Sequence, residues 1–259
     1  MDKNSIRRRT ILSIKTGLVF GLLAILFSIL GCDFFDGRRD IKAFYFPMEK
    51  LAGKGLVYQF TPANADTTES EYWIIRAEQR DGKQLLITQL LNPDFTLAQT
   101  MTEAIFETGT LARSLVLFEP DSASGKPRAI VVFIEEASLF PFKVGDSTGV
   151  FLFKISYRPP SDSLSSIYLI RNRRFHGNAP DFLFKGEKIP CIAFKLKEVI
   201  GKEQEGSAEI EGSGEEIYGK GIGLVAYRKN FGSGLKMDFR LTDIFEMQEF
   251  GKRRETRDK

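Results

Sequence analysis

Histidine is almost missing from this chain. A single one, His176, occurs in 259 residues. That excludes a metal centre built from several imidazoles and leaves one candidate base for a Ser–His or Cys–His pair. No serine sits in a G-x-S-x-G context, and no G-K-[S/T] follows a glycine-rich stretch, so neither a nucleophile elbow nor a phosphate-cradling loop is signalled. Nothing repeats at a fixed period, which argues against a propeller or a solenoid. Helical text is scarce. Cysteine is nearly absent too, with only Cys32 and Cys191. No cofactor and no metal site is expected.

The N-terminus is the most explicit segment. Lys3, Arg7, Arg8 and Arg9 precede an uncharged apolar run from Gly17 to Leu30. That run has the length of a signal-peptide core and falls short of the ~20 residues of a comfortable membrane span. It ends Ile29-Leu30-Gly31-Cys32. This resembles the lipobox of bacterial lipoproteins, with Ile29 where leucine is usual. The resemblance implies cleavage between Gly31 and Cys32, diacylglyceryl and acyl chains (palmitate among them) on Cys32, and a mature protein that is anchored without spanning. An uncleaved anchor helix is the alternative, and the short run argues against it. Arg8-Arg9 loosely resembles a twin-arginine signal. Arg7 stands where that signal has Ser or Thr, so the general secretory route is preferred.

Charge follows from the same segment. The chain carries 37 basic and 34 acidic residues. Residues 1–31 hold Lys3, Arg7, Arg8, Arg9 and Lys15 against Asp2, so their removal leaves 32 against 33. A near-neutral domain gives no reason to expect nucleic acid. With Cys32 lipidated, Cys191 has no disulfide partner and reads as a small residue in a strand.

The remainder is strand text: short runs rich in Val, Ile, Phe and Tyr between Gly, Pro, Asn and Asp clusters. Strands are predicted at Leu56–Thr61, Tyr72–Gln79, Gln84–Leu91, Leu111–Glu119, Arg128–Glu135, Val150–Tyr157, Ser166–Arg174, Ile189–Val199, Gly221–Lys229 and Leu235–Leu241. Met237, Phe239 and Leu241 alternate with Lys236, Asp238 and Arg240, and Ile192, Phe194 and Leu196 with Lys195 and Lys197, as antiparallel sheet with one wet face requires. Thr96–Glu107 reads as a short amphipathic helix or a further strand, and Asp243–Phe250 as a terminal helical turn. Loops are predicted at Thr61–Ser70, Pro120–Pro127, Tyr157–Ser165, Arg174–Pro180 and Gly201–Gly214, the last one mobile.

Two stretches carry a further resemblance. Phe140-Pro141-Phe142-Lys143-Val144-Gly145-Asp146-Ser147 resembles the P-L-K-V-G-D-x-W turn of β-rich bacterial envelope lipoproteins. Tyr218-Gly219-Lys220-Gly221-Ile222-Gly223-Leu224-Val225 resembles their later Y-A-K-G-V-G-L-V strand. Thr148 and Gly149 follow where those proteins often have Trp. The resemblance implies a curved, mostly antiparallel sheet like the lipoprotein-carrier half-barrels, and brings no catalytic residues.

The remaining motifs have plain readings. Gly219-x-Gly221-x-Gly223 is followed by strand text and marks bulges or close backbone approach, not a nucleotide loop. Glu135-Glu136 and Glu215-Glu216 point to opposite faces of a strand, so neither pair makes a glycosidase site alone. His176 reads as an exposed loop residue. Arg171, Arg173 and Arg174 form a candidate surface contact for anionic headgroups or a glycan, against the plainer reading of a charge-balanced sheet face. The 23 phenylalanines would line a cavity for an acyl chain, or form an ordinary core.

The expected fold class is therefore mainly β: one large curved antiparallel sheet or half-barrel, with at most one or two short helices. The expected organisation is 1–31 signal peptide, 32–45 lipidated tether, 46–250 single β-rich domain and 251–259 charged disordered tail. The expected function is a non-catalytic cell-envelope lipoprotein, held by acyl chains at the inner or outer membrane with its domain outside the cytoplasm. It would bind a lipid or other apolar ligand, or an envelope protein. An envelope-tethered hydrolase with a site assembled from dispersed residues, and a structural component of an envelope complex, are the alternatives.

Overall fold

Alternation of side chains gives strands, and the computed structural model contains fifteen of them among the described residues. It describes residues 37–63, 69–121, 125–145, 149–160, 162, 164–203, 209–232 and 234–257. In chain order they are β1 (Arg39–Asp40), β2 (Leu56–Pro62), β3 (Glu71–Arg80), β4 (Lys83–Leu91) and β5 (Leu97–Ile105). Then come β6 (Gly109–Pro120), β7 (Pro127–Val131), β8 (Phe133–Pro141), β9 (Lys143–Val144) and β10 (Phe151–Tyr157). The last are β11 (Ile167–Phe184), β12 (Glu187–Lys202), β13 (Ile210–Gly219), β14 (Gly223–Phe231) and β15 (Lys236–Glu246), followed by helix α1 (Met247–Arg257).

Neighbours pair in the order β5-β4-β3-β2-β15-β14-β13-β12-β11-β10-β8-β6, and β5 pairs with β6. The sheet thus closes on itself as a twelve-strand antiparallel barrel, with β7 lying against β6 outside the ring. An open sheet or half-barrel was the expectation, and β5 is the reason for the difference. Its Leu97, Met101 and Ile105 are four apart, a spacing that fits one face of a helix and one face of a strand alike. As a strand it bridges β4 and β6 and removes both free edges.

One end of the barrel is stoppered by the chain just before β2. Arg39 and Asp40 pair with Val144 and Lys143. Ile41, Phe44, Tyr45, Phe46 and Leu51 are buried in the main core. The Ile41 amide donates to the Phe142 carbonyl and the Gly221 amide to the Ala43 carbonyl, both at 2.8 Å. A tether through residue 45 is therefore corrected: the folded domain begins at Arg39. The two motifs read from the sequence meet here. Phe140 and Tyr218 are in edge contact at 4.9 Å, and Tyr45 packs on Phe140 and Phe142. Gly223 has φ +94°, and a Cβ there would lie 2.4 Å from the Phe46 ring. Glycine at this position lets the plug seat.

The long hairpin of β11 and β12 closes over the same end. Phe182 and Phe184, near its tip, pack on the main core, and Lys185 reaches Asp243 of β15 at 2.7 Å. Residues 174–180, expected as a loop, are part of β11, with register shifts at Phe175/Gly177 and Ala179/Phe182. Arg128–Glu135 divides at Val132 into β7 and β8. Ile210–Gly214, expected within a mobile loop, is strand, while residues 204–208 lie outside the described residues. The expected disordered tail carries α1 as far as Arg257. Phe250 of α1 buries against Val57, Leu91, Phe95 and Phe245 on the outer wall. Gly31 and Cys32 lie outside the described residues.

Candidate functional site

The strands that form the barrel send charge to both of its faces. Inward positions of β3, β5, β11, β12, β13 and β14 carry Glu71, Glu103, Arg171, Arg173, Glu198, Glu216 and Lys229. Residues from strands around the ring line one internal cavity of about 210 Å³, among them Glu71, Trp73, Gln99, Arg171, Tyr227 and Lys229. Burying charge is costly unless each ion is paired and its hydrogen bonds are satisfied. That condition is met group by group.

Arg173, 5% exposed, grips Glu216, 6% exposed, through both arms of its fork: Nε to Oε2 at 2.9 Å and Nη2 to Oε1 at 3.0 Å. The Arg173 Nη1 donates to the Leu139 carbonyl, and the Tyr218 hydroxyl donates to Glu216 at 3.0 Å. Glu198 accepts from Arg171 Nε and from Lys229 Nζ, the latter at 3.2 Å. Glu103 accepts from the Tyr45 hydroxyl at 2.8 Å and the Thr110 hydroxyl at 3.0 Å. Glu71 accepts from the Tyr227 hydroxyl and from the Trp73 indole.

Electrostatics separates two of these carboxylates. Burial would raise Glu216, but the charges of Arg173 and Arg171 override it and bring its pKa down to about 2. Burial also dominates at Glu103 and there wins, so its pKa is raised despite the two hydroxyl donors. Lys229 is lowered, by burial first and by Arg171 next. Burial pushes the Tyr45 and Tyr218 phenols up, and adjacent carboxylates add to it.

The outer wall contrasts with this. Two cross-strand rows lie side by side on β11 to β15. One is Asn172, Lys197, Ser213, Asn230 and Lys236, and the other is Arg174, Lys195, Glu215, Arg228 and Asp238. They flank a groove of about 850 Å³. Glu215 holds Lys195 at 2.6 Å and also pairs with Arg228. Its pKa is lowered: burial opposes, and the two hydrogen-bonded cations prevail. Among the described residues, Arg174, Lys197 and Lys236 form no ion pair. A second depression of about 430 Å³ shares Glu215, Arg228 and Asp238 with the first, and is lined by Phe182, Ala193, Ile217 and Ala226.

The predicted surface cluster is thus split. Arg171 and Arg173 point into the lumen and are neutralised there, while Arg174 alone faces solvent. His176 is exposed as expected, but on strand β11 at the edge of the outer groove, with Asn178 and Asp181 near it in the lining. Cys191 is a buried strand residue whose thiol is raised by burial. Glu215 and Glu216 do point to opposite faces. The fully buried Phe60, Phe142 and Phe194 pack with Tyr58 and the plug in the main core. Sequence reasoning missed Lys229, Glu198 and Glu103. Their one signal is a charge recurring at the apolar parity of a strand, as Lys229 does after Val225 and Tyr227. Among the described residues, no group of three His, Cys, Asp or Glu could hold a metal, and no helix is long and apolar enough to cross a membrane.

The architecture is a closed antiparallel barrel with one stoppered end, an ionically filled lumen and a basic outer groove. No family model matches the chain, and no curated protein matches it. Among solved structures, a candidate lipoprotein of Parabacteroides distasonis is similar, at 12% identity and a TM-score of 0.46, over 78% of this chain and 97% of that one. A candidate exported protein of Bacteroides fragilis, described with a YmcC-like fold, is similar at 13% identity and a TM-score of 0.47, over 78% of this chain and 99% of that one.

Proposed function

We propose that this protein is a lipid-anchored lipoprotein of the cell envelope, non-catalytic, whose barrel binds its partner on its outer wall. The observation that carries the reading is the placement of the folded domain's start. Arg39, at the stoppered end, follows Cys32 by seven residues, so an acylated Cys32 would keep the barrel within about 25 Å of the bilayer. The lumen supports a structural role better than a catalytic one. Its four carboxylates all have hydrogen-bond donors from neighbouring side chains, and its cavity of about 210 Å³ is below the ~300–1,000 Å³ usual for ligand pockets. The buried phenylalanines pack against one another, which shifts support from an enclosed acyl chain to an external ligand.

Metabolic labelling with a radiolabelled fatty acid tests the anchor. Label is expected in the wild-type protein, together with a mass lower by the leader and higher by the acyl groups. Cys32→Ala is expected to lose the label and accumulate as uncleaved precursor. Label retained in Cys32→Ala, or a soluble unlabelled wild type, would refute the reading.

A further inference from the structure

The outer groove encloses about 850 Å³, and it and the depression that adjoins it differ in chemistry. The groove's margins carry cations that form no ion pair among the described residues: Arg174 on β11 and Lys197 on the neighbouring β12, with Asn172 beside them, and Lys236 on β15 at the far side beyond Ser213 and Asn230. The centre is neutral, because Lys195 and Arg228 share Glu215 and Asp238 stands opposite Arg228. The adjoining depression is floored by small and apolar side chains, Ala193, Ile217 and Ala226, with Phe182 at its margin. Strands are spaced by about 4.8 Å, so β11 to β15 span roughly 19 Å of wall. A ligand that fits is elongated, anionic at one end and apolar at the other.

From this geometry we propose that the groove binds a phosphorylated membrane amphiphile, an anionic phospholipid being the simplest. Its phosphate lies between Arg174 and Lys197 on neighbouring strands, with Lys236 facing it from across the groove, and its glycerol and first methylenes lie over Ala193, Ile217 and Ala226. Arginine and lysine donate to phosphate oxygens through charge-assisted hydrogen bonds, and a concave wall reduces the water that screens them. An acidic glycan fits less well. Sugars favour aromatic platforms, and neither part of the groove is lined by Trp or Tyr. The proposal rests on the membrane-anchored reading above, because proximity to the bilayer supplies the ligand. Its test does not depend on acylation.

The test is calorimetric titration of the full-length protein in non-ionic detergent with micelles carrying phosphatidylglycerol or phosphatidylcholine. Saturable binding is expected, with phosphatidylglycerol tighter by about tenfold or more and weakened by added salt. The triple variant Arg174→Glu, Lys197→Glu, Lys236→Glu is expected to lose about tenfold or more in affinity. Its fold is checked by the fluorescence of Trp73, the only tryptophan, which lies in the lumen. Lys50→Glu, Lys54→Glu, Lys83→Glu makes the same charge change at exposed positions outside the groove, and is expected to change affinity by no more than about twofold. Equal binding of the two lipids, or equal weakening by both triple variants, would overturn the proposal. So would glycerol 3-phosphate binding as tightly as the lipid, which would make the ligand a free phosphate compound. An acidic oligosaccharide binding tighter than the lipid would overturn it in favour of a glycan. The acyl-labelling result and this titration fail independently, so an anchored protein with an idle groove would be recognised as such.

Discussion

Arg173 and Arg174 are adjacent in sequence and live in different media. Arg173 points into the lumen, where both arms of its fork are taken by Glu216. Arg174 points to the outer groove and is exposed, with no ion pair among the described residues. The same strands supply both regions, and the difference lies in water. Inside, an uncompensated charge would be intolerable, so each cation has been matched with a carboxylate. Outside, an unmatched cation costs little and stays available to a ligand. The lumen is therefore read as structure and the groove as function, and four experiments sharpen or break that division.

The largest effect is expected from Arg173→Met. It leaves Glu216 buried without its partner, which should cost about 3–5 kcal/mol in urea unfolding. Arg173→Met combined with Glu216→Leu should recover most of that loss, since paired apolar replacements of a buried ion pair are often near neutral. A double variant as unstable as the single one would mean that the pair does more than neutralise itself.

Glu216→Gln comes next. With a native pKa of about 2 against an unfolded value near 4.5, ionised Glu216 contributes stability above pH ~4.5. That contribution, on the order of 3 kcal/mol, is lost as pH falls from ~4.5 towards 2. Glu103 has the opposite sign. Its raised pKa means the folded state takes up a proton first, so acidification from neutral pH relieves its burial cost. Urea midpoints against pH should therefore flatten at the acid end in Glu216→Gln. In Glu103→Gln they should lose the part that favours mild acid.

Gly223→Ala should cost about 1–3 kcal/mol, because the left-handed backbone and the Phe46 ring both oppose a Cβ. The added variant Phe46→Ala should relieve the steric part while losing the plug's own packing. Hydrogen exchange at the Ile41 and Gly221 amides would report whether the plug has lifted.

The smallest effect on stability belongs to the groove. Arg174→Ala and Lys197→Ala should each stay within about 0.5 kcal/mol of wild type in unfolding. A loss of several kcal/mol from either would place it in the structural class with Arg173.

Much of the wall was legible in the sequence, and the failures are instructive. Where inward residues are apolar, as at Met237, Phe239 and Leu241 or at Ile192, Phe194 and Leu196, the period of two marks both strand and face. Where the inward residues are glycine and charge, the signal fades. β13 reads Ile-Glu-Gly-Ser-Gly-Glu-Glu-Ile-Tyr-Gly. Its inward positions are Gly212, Gly214, Glu216 and Tyr218, so it passes for an acidic loop. The second half of β11 is hidden the same way, by Gly177 and Asn178 between its two register shifts. Of the candidate groove only Arg174 could be read, since the groove takes side chains from five strands, β11 to β15.

The sequence by itself determined the near-neutral balance of residues 32–259 and the preference for antiparallel strands. These depend on composition and on neighbours within a few residues. Only the tertiary structure decided that the sheet closes, that residues 39–51 stopper it, and which of three clustered arginines is free. Alternation tells that Arg171 and Arg173 share a face and that Arg174 has the other. It does not tell which face is inside. Closure through β5 makes one face a lumen, and Glu198 and Glu216, distant in the chain, make that lumen habitable for charge.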